Sequence, residues 1–330
     1  MQSVLNQQYP VVSILIPAYN VADYLSQCLN SVINQTYRHL QVVVVDDGSK
    51  DNTLKIARQY AEKYPFLEVY HQENAGVAVT RNTLISLAKG DYVLFVDSDD
   101  WIECDMVECM LKVLNESQSD IAVCGCFKES DSASIANLVV DKNYVLEGEE
   151  EVVKALLKHK ELNGSLWNKI VPRKYFEGLT FREDIWYGED CLFFWQVLGN
   201  GVERISFMPD CLYHYRINEQ SISHESYNHK KQSGHEVWKI IYEDTKAKWP
   251  QLTDIALASY AISDMWQLFH AAQSNYPLDV HLKLYQKNVR DNLSLIRKSG
   301  LVNFRKLLFA SLIAYSYVMG AFVLRKIMKN

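Results

Sequence analysis

The run Tyr92-Val93-Leu94-Phe95-Val96, followed at once by Asp97-Ser98-Asp99-Asp100, decides how this chain of 330 residues is read. Five residues without a charge are strand length, and they do not alternate, so the run reads as a strand buried on both faces. Carboxylates placed directly past such a strand are held rigidly. They point into the crevice where open α/β sheets take their ligands. Hard divalent cations such as Mg²⁺ and Mn²⁺ want carboxylate oxygens, one or two from the protein with phosphates and water supplying the rest. An isolated D-x-D is an ordinary solvated loop. In this position it becomes a candidate metal site.

Working outward, the same grammar repeats. Residues 11–16 form a buried strand ending at Pro17. Residues 23–34 have helical spacing, with Tyr24, Leu25, Cys28, Leu29, Val32 and Ile33 on one face. A second strand, 41–45, runs into the turn Asp46-Asp47-Gly48-Ser49. Asn52 is placed to cap a helix that Pro65 stops. A strand at 67–71, a helix at 76–88, a helix at 106–115 and a strand at 120–127 complete the series. Strands alternating with helices of about a dozen residues imply βαβ units and a mostly parallel sheet flanked by helices. Each polar motif, 17–20, 46–49 and 97–100, falls at a strand's carboxyl end, where such sheets bind ligands. Residues 128–147 are polar and aperiodic and read as a loop or excursion. Residues 148–158 look helical, 203–215 hold two short strand-like runs, and from about 228 the pattern is helical almost to the end. There is no G-x-G-x-x-G and no G-x-x-x-x-G-K-[ST], so any bound phosphate must be neutralised without a Gly-rich cradle.

Several segments then become familiar in combination. The run Val12-Ser13-Ile14-Leu15-Ile16-Pro17-Ala18-Tyr19-Asn20, with Val45-Asp46-Asp47-Gly48-Ser49-Lys50-Asp51, resembles the start of family 2 glycosyltransferases. Asn74-Ala75-Gly76, Thr80-Arg81-Asn82 and Gly90-Asp91-Tyr92 leading into Asp97-Ser98-Asp99-Asp100 follow in the family's order. The resemblance implies the GT-A fold, a nucleotide-sugar donor (most often a UDP-sugar), Mn²⁺ or Mg²⁺, and inversion at the anomeric carbon. It divides the chain into a glycosyltransferase domain at 1–225 and a helical region at 226–330. The nucleotide-sugar half of the domain covers about 1–127 and the acceptor half about 128–225.

Site roles are carried over by position. Pro17, Ala18, Tyr19 and Asn20 match the loop lining the nucleobase pocket. Asp46 and Asp47 match the acidic pair after the second strand; Asp47 is favoured to accept the base N–H, and Asp46 to hold the turn. Arg81 matches an arginine near base or diphosphate. Asp99 is expected to ligate the metal, with Asp97 on the metal or the ribose and Ser98 between them. Asp100 reads as a helix cap or supporting group. Tyr187-Gly188-Glu189-Asp190 resembles the E-D motif, which makes Asp190 the base that deprotonates the acceptor hydroxyl and Glu189 its orienting neighbour. A carboxylate opening an apolar helix also fits a cap. Trp167-Asn168-Lys169 resembles a W-x-K segment, in which Trp167 packs against a sugar and Lys169 reaches a phosphate, or either is structural. Tyr213-His214-Tyr215-Arg216 and Ser221-Ile222-Ser223 resemble the segment closing the site. Arg216 is then a diphosphate clamp, and His214 or His224 a group approaching the metal.

Composition sets the outer bounds. With 48% hydrophobic and 22% charged residues, global disorder is excluded. A net charge of −6 argues against nucleic acid as a partner held by bulk electrostatics. The seven cysteines contain no C-x-x-C pair and read as small buried hydrophobes in a reducing compartment. Residues 1–10 are polar and do not resemble a signal peptide. The charge is unevenly spread: residues 297–330 hold seven of the 34 basic residues and none of the 40 acidic ones. Residues 307–324 carry no charge and, as one helix, would span about 27 Å. Three readings compete for them: a core or homodimer helix, a helix lying on anionic membrane, and a true span. The sum is a metal-dependent transferase passing one sugar from a UDP-sugar to a glycan, lipid-linked and at the cytoplasmic face of the cell membrane. A sugar-nucleotide nucleotidyltransferase is the enzymatic rival, but Pro17-Ala18-Tyr19-Asn20 stands where it needs a Gly-rich basic loop. A catalytically silent nucleotide-sugar-binding partner subunit is the other rival, and Asp97, Asp99 and Asp190 are all retained.

Overall fold

The computed structural model describes residues 9–217 and 226–327, the last five of these by backbone alone. In the sheet-bearing part, β1 (Val12–Ala18), α1 (Ala22–Ile33), β2 (Leu40–Asp47), α2 (Thr53–Ala61), β3 (Leu67–Gln72), α3 (Val77–Leu87) and β4 (Tyr92–Phe95) follow in regular alternation. Then come β5 (Trp101–Ile102), α4 (Met106–Ser117), β6 (Ile121–Ser130), β7 (Ala133–Asn137), β8 (Tyr144–Glu147), α5 (Glu149–Lys158), β9 (Lys169–Pro172), α6 (Glu189–Gly199) and β10 (Arg204–Arg216). Helices α7 (Ser233–Lys248), α8 (Thr253–Gln273), α9 (Val280–Asp291), α10 (Leu293–Ser299), α11 (Phe304–Tyr315) and α12 (Tyr317–Ile327) follow.

The strands form one sheet in the order β3-β2-β1-β4-β9-β6-β10-β5, with β7 beside β6 and β8 beside β10. β3, β2, β1 and β4 are parallel, and β6 is parallel to β10. β9 is inserted antiparallel between β4 and β6. The sheet is therefore parallel on the side that carries the first two polar loops and mixed beyond. Val42, Val43, Val44 and Val45 are all fully buried, as a strand covered on both faces requires. Leu25, Cys28, Leu29 and Val32 of α1 and Met106, Val107 and Met110 of α4 pack on the sheet in one core.

Several sequence readings change. The polar stretch at 128–147 is not loop throughout: β7 pairs with β6 and β8 with β10, and every residue of β7 is exposed. Exposed edge strands carry polar side chains on both faces, which erased the alternation. The two runs at 203–215 are a single strand whose register slips between Phe207 and Cys211 and again before Tyr213. Asn52 precedes α2 without a capping side-chain bond; Asp51 Oδ1 takes the Thr53 N–H instead, at 2.9 Å. The apolar run 307–324 is broken at Ser316, where φ is −149° and ψ 102°. The pieces measure about 18 Å and 16 Å at the helical rise. Among the described residues no helix is long and apolar enough to cross a membrane.

Two compact units result. One holds residues up to 152, 165–181 and 196–217; the other holds 153–164, 182–195 and the helices from α7 on. The division is interleaved, in contrast to the single boundary expected near 225. The helical unit has its own core, in which Met265, Leu268 and Ala272 of α8 meet Leu282, Tyr285 and Val289 of α9. A buried polar network fastens it. His235 Nδ1 lies 2.7 Å from Asp264 Oδ1, Tyr260 Oη lies 2.9 Å from His235 Nε2, and Asn288 Nδ2 donates to Asp264 Oδ2 at 2.7 Å.

Candidate active site

The loops after β1 and β2 are laced together. The Asn20 N–H donates to Ser49 Oγ at 2.9 Å, and the Lys50 N–H donates to Asn20 Oδ1 at 2.8 Å. Asn20 sits at φ 51°, a left-handed conformation that asparagine tolerates. Pro17 is paired in register with Val45 and Ala18 is buried, whereas Tyr19 is 45% exposed. Tyr19 is thus a surface ring beside the sheet's carboxyl edge and not a core aromatic.

Both members of the acidic pair hold turns, Asp46 at 48–49 as expected. Asp47 Oδ1 accepts from Gln72 Nε2 (2.8 Å) and from the Ala75 N–H (2.9 Å), and its Oδ2 accepts from the Gly76 N–H (2.9 Å). Asp47 therefore holds the turn at 74–76. Gly48 lies between the two loops at φ 72°, where a Cβ would stand 2.7 Å from Asn74 N. Asp46 is fully buried; its Oδ2 meets His71 Nδ1 at 2.7 Å and the Ser49 N–H at 3.3 Å. Its Oδ1 is buried with no hydrogen-bond partner. The acceptor that remains to be used is on Asp46.

The loop past β4 is built differently. The Asp97 N–H donates to Tyr213 Oη at 3.1 Å, and the Tyr213 hydroxyl donates to Asp100 Oδ2 at 2.7 Å. The Arg216 N–H donates to Asp100 Oδ1 at 2.7 Å, and Arg216 Nε donates to the Asp99 carbonyl at 2.9 Å. Asp100 is thus neither helix cap nor outward ligand: it anchors the end of β10. The Arg216 guanidinium lies 4.9 Å from the Tyr24 ring centroid and 4.8 Å from that of Trp101, and its Nη2 donates to Gln27 Oε1 at 2.7 Å. Arg81 Nη2 stands 3.6 Å from Asp97 Oδ1, with its guanidinium 5.6 Å from the Phe181 ring centroid.

Burial pushes the Asp99 carboxyl up, only partly offset by Arg216. Burial, reinforced by Asp97 and Asp99, pushes Asp100 up to about 9. Beneath the loop, Cys28 Sγ lies 3.7 Å from the Asp97 carbonyl, and burial followed by the three aspartates drives its thiol well up. Three acidic side chains in one short loop suit a divalent cation. Among the described residues no three His, Cys, Asp or Glu side chains form a ready-made metal cage. The fitting arrangement is one or two carboxylates, Asp99 and Asp97, with phosphate oxygens and water for the remainder.

Three other expected site residues have partners within the chain. The half-buried Trp167 ring lies tilted against Tyr213 (4.5 Å between centroids) and stacked on Tyr215 (5.7 Å). Lys169 is 1% exposed, and its Nζ donates to the Ser165 carbonyl (2.6 Å) and Asn168 Oδ1 (2.7 Å), so it does not reach out to a phosphate. His214 lies between the rings of Trp101 and Phe127 and between the carboxylates of Glu103 (3.0 Å) and Glu129 (2.7 Å), committed away from any metal. His224 and the Ser221-Ile222-Ser223 segment lie outside the described residues.

In the helical unit, Glu189 and Asp190 open α6. Asp190 Oδ1 accepts the Cys191 N–H at 2.7 Å, so one oxygen serves the helix start. The preceding turn is clamped by α7. The Tyr187 N–H donates to Ser233 Oγ at 2.9 Å, the Ser233 hydroxyl lies 3.2 Å from the Tyr187 carbonyl, and Lys230 Nζ sits 4.3 Å from the Trp186 ring centroid. Sequence reasoning missed Ser233 and Gln27 and gave Tyr213 no role of its own, because each reaches its partner from far along the chain with no local pattern to mark it. Asp184 is tied to Arg182, whose hydrogen bond holds its carboxyl below the ordinary range.

The model of glycosyl transferase family 2 matches residues 13–179, just over half of the chain and the stretch that carries both acidic loops. The chain belongs to glycosyl transferase family 2. Among relatives of this family 2 member, glycosyltransferase GlyA of Streptococcus pneumoniae serotype 4 is 34% identical over 298 residues, 88% of this chain. The chain spans 39% of the length of GlyA. Among solved structures, S. aureus TarS residues 1–349 in complex with UDP-GlcNAc superposes with a TM-score of 0.70 at 22% identity, covering 94% of this chain and 89% of that one. Mannosyltransferase PcManGT from Pyrobaculum calidifontis, in complex with GDP-Man and Mn²⁺, superposes with a TM-score of 0.54 at 18% identity, over 94% and 88%. At these identities the two structures establish the fold alone, and it is the expected GT-A type.

Proposed function

We propose that this family 2 member transfers one sugar, with inversion, from a UDP-sugar to a hydroxyl of a glycan acceptor in polysaccharide assembly. The acceptor is lipid-linked and presented at the cytoplasmic face of the membrane. The observation that carries the reading is the loop past β4, where Asp97, Asp99 and Asp100 stand together at a strand's carboxyl end and Arg81 and Arg216 reach them. Such a loop fits a cation shared with a diphosphate.

In this reading Asp46 Oδ1, buried and unpartnered, accepts the N–H of the base, while His71 and the Ser49 N–H fix the other oxygen. Tyr19 lies against the base. Arg81 and Arg216 hold the diphosphate side. A divalent ion held by Asp99, with Asp97, supplies charge stabilisation for the departing diphosphate. Asp190 uses the oxygen not engaged by the Cys191 N–H to take the acceptor's proton as the new bond forms at C1. Binding of UDP-GlcNAc by TarS is consistent with a uridine donor, and the GDP-Man and Mn²⁺ complex of PcManGT with a metal-assisted one.

A thermal-shift panel tests donor and metal together. At about 100 Kd, UDP adds roughly 2.7 kcal/mol of stability in the presence of Mn²⁺. EDTA or Asp99→Asn removes most of it, and GDP gives much less. Equal stabilisation by GDP, or none lost to EDTA, sinks the reading. Asp190→Asn lowers the transfer rate by about 10²- to 10⁴-fold with UDP binding unchanged. A near wild-type rate would remove Asp190 from the chemistry.

A further inference from the structure

The broken apolar run leaves a problem of cover. Helices α11 and α12 carry no charge between residues 307 and 324, so they are apolar around their whole circumference. Helices of that kind belong in a protein interior or in contact with lipid. Only one side is inside: Ala310, Ile313, Ala314, Tyr317 and Ala321 are buried in the helical unit's core. That side is fastened by Gln286 Nε2 donating to the Ile313 carbonyl (2.6 Å) and by the Tyr317 hydroxyl donating to the Tyr276 carbonyl (2.9 Å). The other side presents Phe304 at 78% and Val318 at 75% exposure, with Leu308, Tyr315, Met319 and Phe322 each more than half exposed. Six large apolar side chains within nineteen residues exceed the scattered exposure of an ordinary surface. Exposed Arg305 and Lys306 stand beside them on α11, Arg297 and Lys298 are exposed on α10, and no acid occurs from residue 297 onward.

We infer that this face is a docking surface for an anionic lipid bilayer. The two short helices lie flat at headgroup depth, apolar side chains inward and basic residues at the phosphates. The break at Ser316 suits this geometry, because each piece is too short to cross and neither needs to. Charge selects lipid over a second copy of the chain. In a two-fold contact the same patch meets itself, which would set the basic borders against one another. An anionic bilayer takes the apolar face and its cations together. The inference rests on the helical unit's surface alone and stands or falls separately from the sugar-transfer reading.

The test is co-sedimentation of the full chain, without nucleotide, on vesicles of phosphatidylcholine alone or mixed equally with phosphatidylglycerol. Binding to the mixed vesicles is expected at low salt, at least about tenfold weaker at high salt yet still measurable. On phosphatidylcholine alone it stays weak. The triple variant Leu308→Gln, Val318→Gln, Phe322→Gln loses at least about tenfold in affinity at both salt concentrations. Its thermal midpoint holds, since all three side chains are already exposed. Should that variant unfold, Phe322→Trp decides: its added indole emission is quenched by mixed vesicles whose phosphatidylcholine is brominated. The inference is overturned if the full chain stays in the supernatant with both vesicles, if the triple variant binds as the wild type does, or if the emission added by Phe322→Trp is unquenched. A dimer dissolved by the triple variant, with no vesicle binding, also overturns it and assigns the face to a second copy.

Discussion

Past β2, Asp47 accepts three hydrogen bonds and Asp46 two, with a single buried oxygen left over. Past β4, on a strand of the same sheet, Asp99 and Asp100 are pushed toward their protonated forms by burial and, for Asp100, by its acidic neighbours. The residue type is the same and the strand ends are equivalent, yet the surroundings differ. The difference lies in the donors supplied. The first loop has backbone N–H groups from 75 and 76 and side chains from β3 aimed at it, so its carboxylates are at rest without any ligand. The second receives the Tyr213 hydroxyl and the Arg216 N–H at Asp100, with Arg81 3.6 Å from Asp97. The first loop is tied by backbone N–H groups and by Gln72 and His71, and the second is reached by two guanidinium groups.

Three substitutions probe this contrast. The largest effect on the fold is expected from Asp47→Ala, which strands the Ala75 and Gly76 N–H groups. A loss of about 3 kcal/mol is expected by denaturant unfolding. A loss under about 1 kcal/mol would break the comparison at its first term. Asp46→Asn comes next. It offers an N–H or a differently placed oxygen where a single acceptor is needed, and UDP affinity in Mn²⁺ falls about tenfold by calorimetry with stability little changed. If UDP binds as before, the unpartnered oxygen is not the base's acceptor.

The smallest effect belongs to Asp100→Asn in EDTA. A carboxyl already held protonated near neutrality resembles an amide, so the cost is within about 1 kcal/mol. The sign with pH follows from the same shift. The folded chain keeps a proton on Asp100 between its ordinary value of 3.8 and about 9, while the unfolded chain releases it. The group's contribution is complete below the lower value and is lost as pH rises through the upper one. The metal-free melting temperature of the wild type should fall across that window more steeply than that of Asp100→Asn. Parallel pH profiles would show that the crowding past β4 is relieved in solution.

Much of this was legible in the sequence where signal and cause are adjacent. Buried runs such as 42–45, the polar residues ending them and the helices between gave the parallel half of the sheet, because burial on both faces leaves a continuous apolar word. What failed to show was settled at long range. Trp167 and Lys169 are aromatic and charged residues beside a motif, but Tyr213, Tyr215, Ser165 and Asn168 engage them within the chain, and no local pattern announces that. The choice between Asp46 and Asp47 depended on which of them residues 72–76 would reach. The short edge strands β7, paired with β6, and β8, paired with β10, were hidden by the lack of an alternating pattern. The break at Ser316 was hidden by chemistry, since one serine in a run of apolar residues is tolerated in a helix until the core beneath it dictates otherwise.

The slipped register of β10 governs how this chain can change over time. From Phe207 to Tyr213 the strand advances six residues while its neighbour β6 advances three, from Val123 to Cys126. All of the extra length is absorbed before Tyr213, and Tyr213 and Arg216 reach the Asp97–Asp100 loop only because of that offset. A residue gained or lost there reverses which face every later side chain occupies. Substitutions along 208–212 therefore have latitude, but insertions and deletions do not. In a lineage of such chains, the length of this segment should stay fixed even where its letters drift.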